Sequence, residues 1–236
     1  MNWHEFTALL GLATAMSFTP GPNTTLATAL AANHGLRLTL PFICSVPLGW
    51  GVLLSLCALG LGAVLLAMPM LIWAIKGAGT LYMLWLATKL IGVKLIEVNL
   101  IGVRSRLNEC NRGFGEINRD LTPIVLPIDR TPGHSQGLIG FWQGAALQFV
   151  NIKAWMLALA IVGGWVAGRS DAGLRFAVVL PVMLLFAFAS NLTYALVGSL
   201  LQGWLAGPNG SGRRRVGFNR LMAAVLVATA VWMLIA

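Results

Sequence analysis

Six apolar stretches make up most of this chain of 236 residues, at approximately 5–32, 38–66, 69–92, 138–168, 174–203 and 216–236. A helix needs about 20 apolar residues to cross the hydrocarbon core of a bilayer, and each stretch reaches that length. Backbone polar groups in lipid must be satisfied within their own segment, so each stretch is predicted to form a helix. The sequence therefore predicts an all-α polytopic membrane protein with about six transmembrane helices.

The charge content also favours lipid over water as the solvent of this chain. Charged residues make up 10% of the sequence and hydrophobic residues 58%, whereas soluble domains carry about 25% charged residues. The formal net charge of +9 does not indicate a nucleic-acid partner, because that function needs a basic face on a soluble module. Membrane lipid is the expected environment.

Candidate metal ligands and catalytic groups are scattered along the chain. Cys44 and Cys57 share one apolar stretch and Cys110 lies in the polar middle segment, without metal-ligand or disulfide spacing. We expect neither a metal site nor a cofactor. The Ser, His, Asp and Glu residues of the predicted spans form no set of nucleophile and base, so the chain is not predicted to be an enzyme.

The long polar segment 93–137 divides the chain into two predicted three-helix halves, 1–92 and 138–236. Because each half holds an odd number of helices, the halves have opposite orientations, as in the inverted repeats of many transporters. Lys and Arg concentrate in the odd-numbered loops, which predicts that these loops, including 93–137, are cytoplasmic and both termini external. In a five-span alternative the first stretch is re-entrant or interfacial, and the N-terminus is then internal.

One polar constellation interrupts the first apolar stretch. Pro20 and Pro22 flank Gly21, and because proline lacks a backbone donor we expect the helix to break there. Asn23 and Thr24 supply hydrogen-bonding groups where the helix resumes. The restarted helix directs free N–H groups and its positive dipole end into the membrane interior, which suits a carboxylate. This pattern is typical of substrate sites in transporters; a proline kink that serves packing alone is the alternative.

A second polar constellation lies early in the fourth stretch and contains Gln148, Asn151 and Lys153. Such side chains are costly in hydrocarbon, and an intramembrane charge is a functional hypothesis by default. Lys153 is predicted to pair with a substrate carboxylate or to cap an exposed carbonyl; the alternative is that it snorkels to an interface. Three polar residues of other predicted spans could face a cavity together with these groups, but they are interpreted as polar contacts between helices: Lys76, Asn191 and Thr193.

With six predicted spans, Pro20-Gly21-Pro22-Asn23 and Asn151-x-Lys153-Ala154 resemble motifs of the bacterial lysine-exporter (LysE) and homoserine/threonine-efflux (RhtB) family. The resemblance covers about 1–92 and 138–236. It implies a single transporter domain, 1–236, that exports amino acids or similar small metabolites across the inner membrane by ion exchange, with the proton as the expected ion. The predicted substrate-binding residues are Pro20, Gly21, Pro22, Asn23, Thr24, Gln148, Asn151 and Lys153.

Two departures from the family pattern carry expectations of their own. Ile152 stands where the family usually has proline, so the second helix break is expected to be less pronounced. The segment 93–137 is longer than the usual connector, and no acidic residue lies deep in a span, which leaves the coupling ion open. The alternative functions are a membrane assembly or structural subunit and an exporter of another small solute or a metal ion; a homodimer is also left open.

Overall fold

Every regular element that the computed structural model describes, within residues 1–68, 70–91, 139–206 and 213–235, is a helix. The predicted all-α class is thereby confirmed, while the expectations for 93–137 lie outside the described residues. Within these ranges there are two π-helical segments: Cys57–Leu61, which follows the helix that ends at Leu56, and Val162–Val166, which follows the helix that ends at Ile161. The helices are α1 Trp3–Phe18, α2 Pro22–His34, α3 Leu36–Leu56, α4 Gly62–Ala67, α5 Met70–Ile91, α6 Phe141–Val150, α7 Ile152–Ile161, α8 Ala172–Ala206 and α9 Arg213–Ile235.

The number of helices that could cross a membrane differs from the prediction. Within the described ranges, four qualify by length and composition: Leu36–Ala67, Met70–Ile91, Ala172–Leu205 and Arg213–Ile235. The bent pair of α6 and extended α7 makes a fifth if it counts as one span. The first predicted helix, over 5–32, is the one that does not qualify. It is divided into α1 of 16 residues and α2 of 13 residues, and each is shorter than the ~20 residues of a full crossing. The protein is nonetheless a multi-pass membrane protein.

Together, α1 and α2 follow α8 from one end to the other. The amino group of Met1 lies 3.8 Å from the Asp171 carboxylate, just before α8 begins. At the other end, Gly35 follows α2 and lies against the side chain of Gln202, near the end of α8. The first apolar stretch therefore runs in the same direction as α8, and this course disagrees with the alternative in which that stretch is re-entrant or interfacial.

Small residues allow the helices to approach closely around α2, which is buried on nearly all sides. A Cβ atom on Gly198 of α8 would overlap the Thr28 carbonyl of α2, and one on Gly49 of α3 would overlap Ala145 of α6. Close approach through glycine is the expected way to pack helices where lipid supplies no hydrophobic driving force between them.

Two apolar clusters form the interior, one above the other along the helices. One cluster contains Leu9 of α1 and Met183 in the first half of α8, and the other contains Leu26 of α2 and Leu226 of α9. The outer surface carries exposed apolar side chains such as Leu200, which is 81% exposed and suited to lipid contact. The breaks in the first and fourth stretches lie where the two clusters meet, so they occupy the middle of the helix assembly.

Candidate functional site

The first break separates α1 from α2 and leaves the start of α2 open. Pro22 is the first residue of α2, where a missing N–H costs nothing. Gly21 precedes it and has no side chain to cap the helix; instead, the Thr24 hydroxyl accepts from the Gly21 N–H at 2.9 Å and donates to the Gly21 carbonyl at 3.0 Å. The N–H groups of the first turn of α2 therefore receive no side-chain cap, which is the open helix start that a ligand site needs.

The end of α1 is held by side chains from two other helices. The Tyr194 hydroxyl of α8 donates to the Phe18 carbonyl at 2.8 Å, and Lys153 Nζ of α7 donates to the Thr19 carbonyl at 2.9 Å. These bonds satisfy carbonyls that a helix end leaves without partners, and they place a positive amine at the negative end of the α1 dipole. Of the roles predicted for Lys153, capping an exposed carbonyl is the one observed here.

The second break lies at Asn151, between α6 and α7, which are bent by 68°. The Asn151 backbone is extended, and its side-chain oxygen accepts from the Lys153 N–H at 3.2 Å, so Asn151 caps α7. The Trp155 indole donates to the Phe149 carbonyl at 2.8 Å and satisfies the end of α6. The break therefore forms without the proline that the family pattern would place at 152, because the Asn151 cap starts a new helix.

The two breaks are joined by a reciprocal pair of side-chain amides. Asn23 Nδ2 donates to Gln148 Oε1 at 2.9 Å, and Gln148 Nε2 donates to Asn23 Oδ1 at 3.2 Å. Gln148 is fully buried, so this pair satisfies amide groups that would otherwise be costly in an apolar interior. It links two predicted site residues that are 125 positions apart in the sequence.

A cavity of about 70 Å³ lies between the two breaks. Of the eight predicted site residues, seven line it, whereas Pro20 is exposed and does not. Helices α1, α3 and α8 also contribute polar or aromatic lining residues, which are Ser17, Trp50, Ser190 and Asn191. Of these, sequence reasoning missed Ser17, Trp50 and Ser190.

The polar residues interpreted as contacts between helices separate into two groups. Asn191 lines the cavity, which is the alternative that the sequence left open for this residue. Thr193 is exposed, and its hydroxyl donates to the Ala189 carbonyl of its own helix at 2.8 Å. Lys76 lies with its amine 5.3 Å from the Trp73 ring centroid, outside the cavity lining. The sequence indicated Asn191 as a candidate, because it is an amide in an apolar span. It did not indicate whether the side chain faces the cavity.

The electrostatics of the cavity favour an anionic group. Lys153 is the charged side chain among the described residues that line it, and the start of α2 adds a positive dipole end. The acidic residues of the described ranges are Glu5 and Asp171. Both lie at the distant end of the molecule, in ion pairs with Arg175. An anionic group such as a carboxylate is a ligand that a positive site of this kind binds well.

Comparison with known proteins identifies relatives that match most of the chain. Residues 14–96 match the LysE type translocator family. The chain is 28% identical over 193 residues to the cysteine/O-acetylserine efflux protein of Escherichia coli (strain K12), covering 81% of this chain and 80% of the relative. The proteins of that description from Shigella flexneri serotype 5b (strain 8401) and Shigella sonnei (strain Ss046) match equally. No solved structure matches significantly. The predicted family resemblance is confirmed.

Proposed function

We propose that this relative of the LysE type translocators is a secondary exporter of amino acids or related small metabolites across the inner membrane. The observation that carries the proposal is the internal cavity, where two helix breaks meet around Lys153. Broken helices at membrane depth occur where they line a substrate cavity, and their ends supply the binding groups. The relatives are named for efflux of cysteine and O-acetylserine, so small amino acids are the first substrates to test.

Recognition of the substrate is proposed to start at its carboxylate. Lys153 Nζ is bonded to the Thr19 carbonyl, a neutral acceptor, and an ionised carboxylate forms a stronger hydrogen bond with an ammonium group. A substrate carboxylate therefore competes with the Thr19 carbonyl for Lys153 and receives further N–H groups from the start of α2. The competition loosens the tie between α1 and α7, which gives substrate binding a route to conformational change.

Export is proposed to be driven by exchange with protons. No carboxylate lines the described part of the cavity, so the titratable group available there is the Lys153 amine. An imposed pH gradient across proteoliposomes should accelerate efflux, and a protonophore should remove that acceleration. If a sodium gradient accelerates efflux and a pH gradient does not, then sodium is the coupling ion. The proposal that the protein is an exporter would still hold.

The alternative functions receive less support from the cavity. A metal-ion exporter is disfavoured because the Lys153 amine would repel a cation. An assembly subunit needs no internal cavity with a charged side chain, since such a group is costly unless it has a function. The family match is to translocators, which likewise favours a transporter over an enzyme.

The decisive experiment measures efflux of labelled small amino acids from proteoliposomes that contain the purified protein. Lys153→Met keeps most of the side-chain stem and removes the charge, and we expect the initial rate to fall at least about tenfold, as for loss of a charged hydrogen bond. Lys76→Met is the matched control, because Lys76 also lies in a span but outside the cavity lining. It should leave the rate within about twofold of the original protein.

Three outcomes would contradict the proposal. If the original protein is monodisperse and helical but exports no small amino acid, the proposed exporter function is wrong. Undiminished efflux by the Lys153→Met protein would remove the proposed carboxylate site. An equal loss in the Lys76→Met protein would show that any lost lysine in a span impairs the fold.

A further inference from the structure

The Asn191 side chain on α8 has a hydrogen-bond acceptor that nothing in the described structure uses. Asn191 is 3% exposed, and its Nδ2 donates to the Ala187 carbonyl one turn earlier at 2.8 Å. The Oδ1 atom is buried and has no hydrogen-bond partner. Buried polar atoms in folded proteins nearly always have a hydrogen-bond partner, so a buried oxygen without one needs an explanation.

The position of Asn191 supplies that explanation. The residue lines the same cavity as Lys153 and the start of α2. The bond to Ala187 uses one N–H of the amide nitrogen, whereas the oxygen makes no hydrogen bond at all, so the oxygen is the atom that lacks a partner. The missing partner must therefore be an N–H or O–H donor that enters the cavity.

We infer that Asn191 Oδ1 accepts a hydrogen bond from the ammonium group of the exported amino acid. The inference rests on the proposed function and extends it to the second end of the substrate. Lys153 and the α2 N-terminus bind the carboxylate, and Asn191 binds the ammonium, which is the donor that an α-amino acid carries beside it. Two opposed contacts of this kind fix the orientation of a small zwitterion.

The neutral amide also determines which amino acids the site favours. A carboxylate in place of Asn191 would balance the charge of Lys153 and admit substrates with an additional positive group. Asn191 adds no charge, so a second cationic group on the substrate would meet Lys153 without compensation from the described lining. The site therefore selects neutral amino acids over dibasic ones.

The test measures how strongly the protein distinguishes an amino acid from its deamino analogue, in which hydrogen replaces the amino group. Export of a labelled small neutral amino acid from proteoliposomes is inhibited by each unlabelled compound, and the half-inhibitory concentrations are compared. In the original protein the analogue should be weaker by about tenfold or more, the loss expected for a hydrogen bond to a charged donor. In Asn191→Leu the two compounds should agree within about twofold.

Three further variants keep the result interpretable. Asn191→Ala also lacks the acceptor and tests the same loss if the leucine variant is poorly folded. Asn191→Ser retains a smaller acceptor and should preserve part of the discrimination. Thr193→Val is the matched control, since Thr193 lies on α8 two residues away with an exposed side chain bonded to its own helix; this variant should discriminate like the original protein.

The outcomes distinguish this inference from the proposed function. If the original protein exports amino acids but Asn191→Leu and Asn191→Ala keep the full discrimination, then Oδ1 binds water and the inference is wrong. Equal weakening of both compounds in these variants would assign Asn191 a structural role and contradict it as well. If the original protein exports no amino acid, the proposed function is wrong and the inference with it.

Discussion

At the scale of single residues, Asn23 and Gln148 decide how the two broken stretches are held together. Each amide is the other's partner, and Gln148 is fully buried. Removal of Asn23 leaves the buried Gln148 Oε1 without a partner, while Gln148 Nε2 keeps its bond to the Gly144 carbonyl at 3.1 Å, and an unsatisfied buried acceptor costs about 1–3 kcal/mol. Removal of both leaves no orphan, so the two losses are not additive.

The amide pair therefore predicts a specific pattern of stability and activity. We expect Asn23→Leu to lower the free energy of unfolding by about 1–3 kcal/mol, and we expect the double variant Asn23→Leu/Gln148→Met to be more stable than Asn23→Leu alone. Export should be lost in both, because both lack cavity amides. Denaturation in detergent and efflux from proteoliposomes measure the two effects; additive destabilisation, or normal export by either variant, would contradict the prediction.

These residues also show what the sequence could and could not predict at this scale. Proline, glycine and amide residues within an apolar stretch identified Asn23 and Gln148 as site candidates. Their mutual bond was beyond prediction, because it depends on how helices 125 positions apart pack together. Asn191 carried the same signal, an amide among apolar residues, but which way it faces depends on the rotation of α8, which a single sequence does not show.

At the scale of elements, the break between α6 and α7 depends on capping rather than on proline. Ile152 is the first residue of α7, where proline is well tolerated. The preceding residue, Asn151, already has the extended backbone that proline favours before it. The structure thus accommodates the family's usual proline at a position where this chain has isoleucine.

This geometry predicts that Ile152→Pro folds and exports. We expect its rate and its midpoint of thermal unfolding to stay close to those of the original protein, with a small loss because Ile152 is 6% exposed and packs in the core. Ala158→Pro is the control within the same helix, where proline removes an internal hydrogen bond and costs about 3 kcal/mol or more. Thermal unfolding and efflux assays check both; a severe defect in Ile152→Pro would show that isoleucine packing, and not the Asn151 cap, maintains the break.

The elements were largely predictable, since length and apolarity alone indicate where helices lie. The pattern did not predict that the two helices of the first stretch, on either side of the break, would each be too short to cross the membrane alone. The prolines showed that a break was due. The partners that stabilise it, Tyr194 and Lys153, come from helices distant in the sequence.

At the scale of the whole molecule, the described residues place groups of charged side chains at two opposite ends, apart from Lys76 and Lys153 within the spans. Arg169 and Arg175 lie at the end that carries the N-terminus and contact Glu5 there. Arg175 also donates to Asp171 at 2.7 Å, and this bond holds the pKa of that carboxyl below its usual range. At the other end, Arg214 lies over the Trp204 ring, 5.0 Å from its centroid. The segment with Arg169 and Arg175 and the segment with Arg214 therefore lie at opposite ends of the molecule, as expected for an even-numbered and an odd-numbered loop.

The grouping leads to a prediction for orientation in the membrane. Positively charged loops remain in the cytoplasm, so the end with Arg213 and Arg214 should be internal and the turn with Ser170 external. We expect Ser170→Cys, in a chain whose three own cysteines are changed to serine, to react with a membrane-impermeant maleimide in intact cells. Arg213→Cys should react only after the membrane is permeabilised. Both positions are exposed in the structure, so a lack of labelling would reflect the membrane and not burial.

The reverse labelling pattern would place the N-terminus in the cytoplasm and would invert the proposed direction of every helix. Equal labelling of both sites in intact cells would mean that the chain inserts in two orientations, which the Lys and Arg distribution disfavours. The expected pattern would add a direction to the transport proposal. The end of the molecule that carries Glu5 and Asp171 would then face the outside, and an exported substrate would leave the protein at that end.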